Sequence, residues 1–321
     1  METGTKRLVG TVAWMYHIRG LRQKVIAQRL KISQSRVSRL LEQASDLHIV
    51  RTVLVVPSDA QTILESELQS AYGLTNAFVY DIGQILDESQ LVRELGRLLA
   101  AELQNLQLDV EVIALTSWSR TVQATVRYLQ PLPTTETKFV VETLGDLGSP
   151  SLQHLAASNT ERFAALAGAE PMFLRVPGVM PSLEVKQTRL AYDSYARATL
   201  AKLDAIDLAV IGVGSVDVVP PLRAGDNFFT ADQVAQAKVR GAVGEINLHY
   251  IGADGELVHT DFHDLVVGAS AEQLRRTPRR LAAAGGPSKY PAIRAALRGH
   301  WINYLLTDSN TAQWLLAQHA D

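Results

Sequence analysis

The sequence predicts an α/β protein with a small all-helical head, and three observations carry that expectation. Helical spacing governs roughly the first fifty residues, and beyond them apolar runs of strand length alternate with helical segments. Several of those runs are apolar throughout, such as Leu208-Ala209-Val210-Ile211-Gly212-Val213. Strands apolar on both faces must be covered on both, as in a parallel sheet wrapped by helices. A chain of 321 residues exceeds one ordinary core, so two domains are expected, 1–57 and 58–321.

In the head, Val9, Val12, Ala13, Tyr16 and His17 lie at helical spacing and Gly20 supplies a stop. A second helix covers about 23–30, and a third starts at Ser33 or Gln34 and runs to about Asp46. With Gln23 as the first residue of a twenty-residue helix-turn-helix, Ile26, Leu30, Ile32, Val37 and Leu40 fall where the two helices meet. Small Ala27 then sits at their closest approach. The turn position, often glycine, is Lys31, which must hold a left-handed backbone at a cost of roughly 1–2 kcal/mol. Ser33 is placed to cap the following helix. An alternating run at 49–56 reads as a short strand or wing, ended by Pro57-Ser58-Asp59.

Charge divides the chain at the same place. Residues 1–52 hold ten Lys/Arg against three acids, a net of +7, while the rest carries −9. A basic head on an acidic body points to a polyanionic partner for the head alone. Ser33, Gln34, Ser35, Arg36, Ser38 and Arg39 suit a major groove, where Arg pairs with guanine and Gln with adenine. Arg22, Lys24 and Arg51 would neutralise flanking phosphates.

From residue 77 on, strands are expected at 77–80, 110–115, 138–144, 172–176, 208–213, 242–250, 265–268, 280–284 and 302–307. Helices are expected at 89–103, 121–129, 152–167, 192–203, 231–239, 271–276, 291–298 and 311–319. The alternation predicts a doubly wound, mostly parallel sheet. Ligands of such sheets bind outside the C-terminal strand ends, where strand order reverses. Four strand ends are polar or glycine-rich. Ser117-Trp118-Ser119-Arg120-Thr121 opens a helix, so its N–H groups and Arg120 suit an anion. Gly145-Asp146 and Gly214-Ser215 end two further strands, and Gly285-Gly286 with Lys289 ends a fourth. Asp308 is placed to accept hydroxyls.

Motifs distributed along the chain carry a resemblance. They are Val12-Ala13-Trp14-Met15-Tyr16, Gly20-Leu21-Arg22-Gln23-Lys24-Val25-Ile26-Ala27 and Arg36-Val37-Ser38-Arg39-Leu40-Leu41 in the head. Further on stand Ile211-Gly212-Val213-Gly214-Ser215, Gly241-Ala242-Val243-Gly244-Glu245, Ala284-Gly285-Gly286-Pro287-Ser288-Lys289 and Ile302-Asn303-Tyr304-Leu305-Leu306-Thr307-Asp308. Together they resemble the SorC family of sugar-responsive bacterial transcriptional regulators.

The resemblance implies a winged helix-turn-helix that binds double-stranded operator DNA, and a sugar-binding domain similar to sugar-phosphate isomerases and deaminases. It implies a sugar, polyol or sugar-phosphate effector and a cytoplasmic repressor-type homotetramer, a dimer of dimers. Two positions depart from the family's pattern. Ser119 replaces a glycine, which reduces backbone access for a phosphate. Gly252 stands where many relatives have a cleft carboxylate.

Other chemistries find little support. The absence of cysteine excludes disulfides, thiolate metal sites and cysteine nucleophiles, and fits a cytoplasmic protein. No apolar run reaches the roughly 18 residues of a membrane span, and the first residues lack the apolar core of an export signal. An isomerase or deaminase with an added helical domain is the main alternative. Asp146, Asp254, His249, His259, His263 and Asp308 are its candidate acids and bases, but they form no catalytic spacing. His259 and His263 fall on a strand or loop, where they do not converge on a metal. No catalytic residue, metal or cofactor is expected.

Overall fold

The computed structural model describes residues 3–47, 49–50, 61–83, 87–106, 108–134, 136–217 and 226–319. The chain divides into two units, Met1–Pro57 and Ser58–Asp321.

In the first unit, α1 (Thr3–Ala13) runs on into a π-helical turn, Trp14–Ile18, and Gly20 follows at φ +61°. Next come α2 (Gln23–Leu30) and α3 (Gln34–Asp46). Val9, Val12, Ile26, Ala27, Val37, Leu40 and Ala44 are buried together, so the three helices share one small core. Lys31 holds the left-handed conformation at φ 53° as the C-cap of α2, and the Ser33 hydroxyl accepts the Arg36 N–H at 3.2 Å. The run expected at 49–56, with Arg51, lies outside the described residues from position 51 onward.

The second unit begins with α4 (Thr62–Tyr72), β1 (Asn76–Tyr80), α5 (Glu88–Asn105), β2 (Val112–Leu115), α6 (Arg120–Tyr128) and β3 (Phe139–Glu142). There follow α7 (Pro150–Ala167), β4 (Glu170–Met172), α8 (Leu183–Tyr192), α9 (Ser194–Lys202) and β5 (Leu208–Ile211). It closes with α10 (Ala231–Val239), β6 (Gly244–Ile246), β7 (His249–Ile251), α11 (Ala271–Arg276), β8 (Arg279–Ala283), α12 (Tyr290–Arg298), β9 (Tyr304–Asp308) and α13 (Ser309–Ala317).

Seven strands form one sheet in the order β1-β9-β8-β5-β2-β3-β4, and every pairing is parallel. Alternate residues feed two cores. Ala114, Ala209, Ile211, Ala282 and Leu305 face α4, α12 and α13, while Ile113, Leu115, Val210, Leu281 and Leu306 face α5, α6 and α7. Period-two alternation with helices on both faces is the doubly wound arrangement. From β2 the chain steps outward to β3 and β4, then returns to β5 on the other side of β2. The order therefore reverses between β2 and β5, and a crevice opens there at the strands' C-terminal ends.

Four expected elements differ. The strand expected at 242–250 is an antiparallel hairpin, β6-β7, turning at Asn247-Leu248. The segment 265–268 makes only isolated bridges after a short 3₁₀ turn, and β4 lies earlier than 172–176. The helix expected at 192–203 starts two residues later as α9 and runs on into a 3₁₀ turn to Ala205, and α8 before it has no expected counterpart.

Candidate functional site

A cavity of about 520 Å³ occupies the reversal point. Thr116, Trp118, Ser119, Arg120 and Gln123 enter it after β2, Gly212–Ser215 and Asp217 after β5, and Ser288 and Lys289 after β8. The β6-β7 hairpin adds Glu245, Asn247, Leu248 and Tyr250. Leu144, Leu147, Leu152 and Phe228 extend the apolar wall, and Glu88 stands at its rim.

The hairpin's turn is the unusual element. Asn247 and Leu248 both have positive φ, 53° and 64°, as a two-residue turn matching strand twist requires. The second position favours glycine, and leucine there bears a strain of roughly 1–2 kcal/mol. Buried contacts hold it. The Asn247 amide donates to the carbonyls of Thr143 (3.0 Å) and Ala269 (3.4 Å), and its oxygen accepts from the Thr143 hydroxyl at 2.7 Å. The Leu248 N–H donates to Glu245 Oε2 at 2.8 Å. That holds Glu245 against the strand-end glycine, where a Cβ on Gly214 would lie 1.9 Å from Oε1. Burial raises the Glu245 pKa, opposed by the Leu248 hydrogen bond and the Lys289 charge.

Both cations of the cavity have partners. Arg120 pairs with Glu88 at the start of α5, and Lys289 donates to the Val213 carbonyl at 2.9 Å. Desolvation lowers the Lys289 pKa, Arg120 acts in the same direction, and Glu88 and Glu245 oppose it.

Of the residues expected to hold an effector, the structure brings Trp118, Ser119, Arg120, Gly214, Ser215 and Lys289 together in this cavity. The others do not line it. Ser117 is buried with its hydroxyl 2.6 Å from that of Thr160, and Thr121 is buried inside α6. Gly145 backs onto the Val176 carbonyl, 2.4 Å from a would-be Cβ, and Gly285 backs onto Asp308. Asp308 caps α13 through Thr311, and with Gly286 it lines a neighbouring cavity. Asp146 faces Arg175 at 3.0 Å without hydrogen-bonding geometry, and desolvation pushes its pKa up to about 6. Gly252 belongs to the turn after β7 and lies outside the lining, whose buried carboxyl is Glu245. Sequence reasoning passed over Glu88, Gln123, Phe228, Leu248 and Tyr250. Glu245 stood at the end of a quoted motif, and that was its only signal.

On the first unit, Arg22, Lys24, Ser33, Gln34, Ser35, Arg36 and Arg39 are exposed and Ser38 is half-buried. Every ion pair among the described residues lies in the second unit. The exposed first turns of α3 thus present unpaired guanidiniums beside amide and hydroxyl groups.

A family model for a sugar-binding domain matches residues 57–317. The chain belongs to that family, the SorC-type regulators. It is 26% identical over 317 residues to the "Deoxyribonucleoside regulator" of Bacillus subtilis, covering 98% of this chain and 99% of that one. It is 27% identical to the "Sorbitol operon regulator" of Klebsiella pneumoniae, covering 97% and 98%. Among solved structures, the full-length SorC of Klebsiella pneumoniae shares the fold with a TM-score of 0.71 at 24% identity, over 97% of this SorC-family chain and 98% of that one. Among the described residues no helix is long and apolar enough to cross a membrane, and no group of three or more His, Asp or Glu is placed to hold a metal.

Proposed function

We propose that this SorC-family chain is a DNA-binding transcriptional regulator of a carbohydrate or polyol operon, with operator affinity set by a sugar-like effector in the cleft. The bare face of α3 carries the proposal. Gln34, Arg36 and Arg39 stand exposed, without ion pairs among the described residues, at the start of a capped helix, the arrangement that enters a major groove. The relatives named for sorbitol and deoxyribonucleoside regulation support a small polyhydroxylated effector.

The cleft binds rather than catalyses. General acid–base chemistry needs a proton donor and acceptor at the reacting atoms. Asp146, Asp254, His249, His259 and His263 lie outside the cavity lining. Its own buried acid, Glu245, is engaged by Leu248 and lies in the field of Lys289. Effector binding shifts the population of cleft conformations, and a homotetramer would pass that shift to paired heads.

The test is direct. A duplex selected from a random library against the full chain is titrated by fluorescence anisotropy with and without sugars, polyols and their phosphates. The expected result is salt-sensitive binding that at least one compound changes. A protein that ignores every duplex at low salt would not be a regulator of this kind.

A further inference from the structure

A phosphate monoester needs cations with charge to give, and both cations of this cleft already have protein partners. Arg120 is matched by Glu88, and Lys289 is bound to a carbonyl in the field of Glu245. The third carboxylate of the lining, Asp217, is matched by Lys238 from outside it. Acidic side chains thus outnumber basic ones in the lining by three to two, and each cation already has a protein partner.

The space for an anion is filled as well. Sheet-edge phosphate sites bring bare backbone amides around the oxygens. Here the Ser119 hydroxyl accepts the Val122 N–H at 3.4 Å, taking a first-turn donor of α6 for itself. Its side chain also closes against the turn after β5, for a Cβ on Gly212 would lie 2.7 Å from Ser119 Cβ. Protein thus occupies the gap between the two turns.

What remains is an apolar wall facing hydroxyls and carbonyls. Trp118, Leu147, Phe228, Leu248 and Tyr250 belong to one buried apolar cluster and all line the cavity. Desolvating a charge against such a wall is costly, whereas the C–H face of a sugar or a flat ring fits it.

We propose that the cleft takes an uncharged, polyhydroxylated compound with an apolar face or ring, and discriminates against the phosphate monoester of the same compound. The inference rests on the reading of this cleft as the effector site. Selectivity comes from the Glu88–Arg120 pair, from Ser119, and from Leu248 held in its strained turn.

Matched pairs test it on the full chain: sorbitol and sorbitol phosphate, ribose and ribose phosphate, adenosine and its monophosphate, with inorganic phosphate as a further probe. Melting temperature and calorimetric Kd are read for the wild type and for Glu88→Gln/Ser119→Gly. In any pair that binds, the uncharged member is expected to bind at least about tenfold tighter, and inorganic phosphate should not protect the wild type. The double variant should gain protection by inorganic phosphate and lose the preference. Glu88→Gln alone, at an exposed position, shows the same direction should the double variant not fold. A phosphate member binding tighter to the wild type overturns the proposal, as does a folded variant that gains no phosphate binding. Failure of the sensing reading looks different: both proteins ignore every compound, inorganic phosphate included, and the proposal falls with it.

Discussion

The two units carry their positive charge in opposite ways. On the head, Arg22, Lys24, Arg36 and Arg39 are exposed and without ion pairs among the described residues. In the cleft, Arg120 is matched by Glu88, and Lys289 is drawn into a carbonyl in the field of Glu245. An exposed, unpaired cation carries its counterions to the surface and releases them to an incoming polyanion. A desolvated cation such as Lys289 is part of the fold, and parting it from its partner leaves an uncompensated charge, whereas the exposed Arg120–Glu88 pair is a weaker match. Affinity for anions therefore follows from pairing rather than from the count of Lys and Arg.

The largest effect is expected where the cleft depends on satisfied buried polar groups, a dependence the head does not share. Asn247→Ala removes three hydrogen bonds from Thr143 and Ala269, whose carbonyls keep the Ala269 N–H and the His249 ring, and puts alanine at φ 53°. Three lost hydrogen bonds and left-handed strain together give a loss of about 2–4 kcal/mol. Urea unfolding followed by circular dichroism reads it. A loss under about 1 kcal/mol would mean that the hairpin is not anchored by this residue.

A buried imidazole and a half-buried carboxyl in the second unit give it a pH response. Desolvation depresses His249 from 6.5 to about 4, so its ring stays neutral in the folded protein; the stability it contributes above 6.5 is lost as pH falls through about 4. That amounts to about 3 kcal/mol. Desolvation holds Asp146 up at about 6, so folding takes up a proton; the stability it contributes below 3.8 is lost as pH rises through about 6. Its partial exposure discounts this to about 1–2 kcal/mol. The two oppose each other between about 4 and 6. Asp146→Asn should steepen acid destabilisation and His249→Gln should flatten it, both read from melting temperatures between pH 4 and 7. Parallel curves for wild type and Asp146→Asn would remove the half-buried carboxyl from this account.

Arg36→Ala attacks the other side of the comparison. It removes one exposed guanidinium from α3 and leaves the Ser33 cap in place, since the cap bonds the backbone N–H. Duplex binding should weaken by about 1–3 kcal/mol while effector-induced stabilisation is unchanged. Loss of both in a folded protein would break the division of labour between the units.

Much of the fold was legible because its signals are local. α2, α10 and α11 fall on the expected residues; the last two carry capping boxes, Thr230 with Gln233 and Ser270 with Gln273. α4 carried a signal too, Leu64, Leu68 and Tyr72 at helical spacing before the left-handed stop Gly73, and it was passed over. α8 offered none, for it buries no residue and so has no apolar stripe. The hairpin read as one strand because Asn247-Leu248 lacks the glycine that marks such turns. At the cleft, Gly214 and Lys289 were legible as strand-end residues, while Gly145, Gly285 and Gly286 fall outside the lining. The pairing of charges did not show, because Glu88 meets Arg120 across 32 residues through the packing of α5 on α6. Nothing local in a sequence records that meeting.

The smallest effect is expected at a single exposed ammonium of the head. Lys24 is exposed on α2 and forms no ion pair among the described residues. If it neutralises one phosphate, Lys24→Ala should weaken binding to every duplex alike and lower the slope of log K against log salt by about one. Arg36→Ala, by contrast, should change the ranking of duplexes by sequence. Anisotropy titrations at several salt concentrations separate the two outcomes. An unchanged salt slope in Lys24→Ala would mean this ammonium keeps its counterions in the complex, and the contrast between free and matched cations would then hold for the guanidiniums of α3 alone.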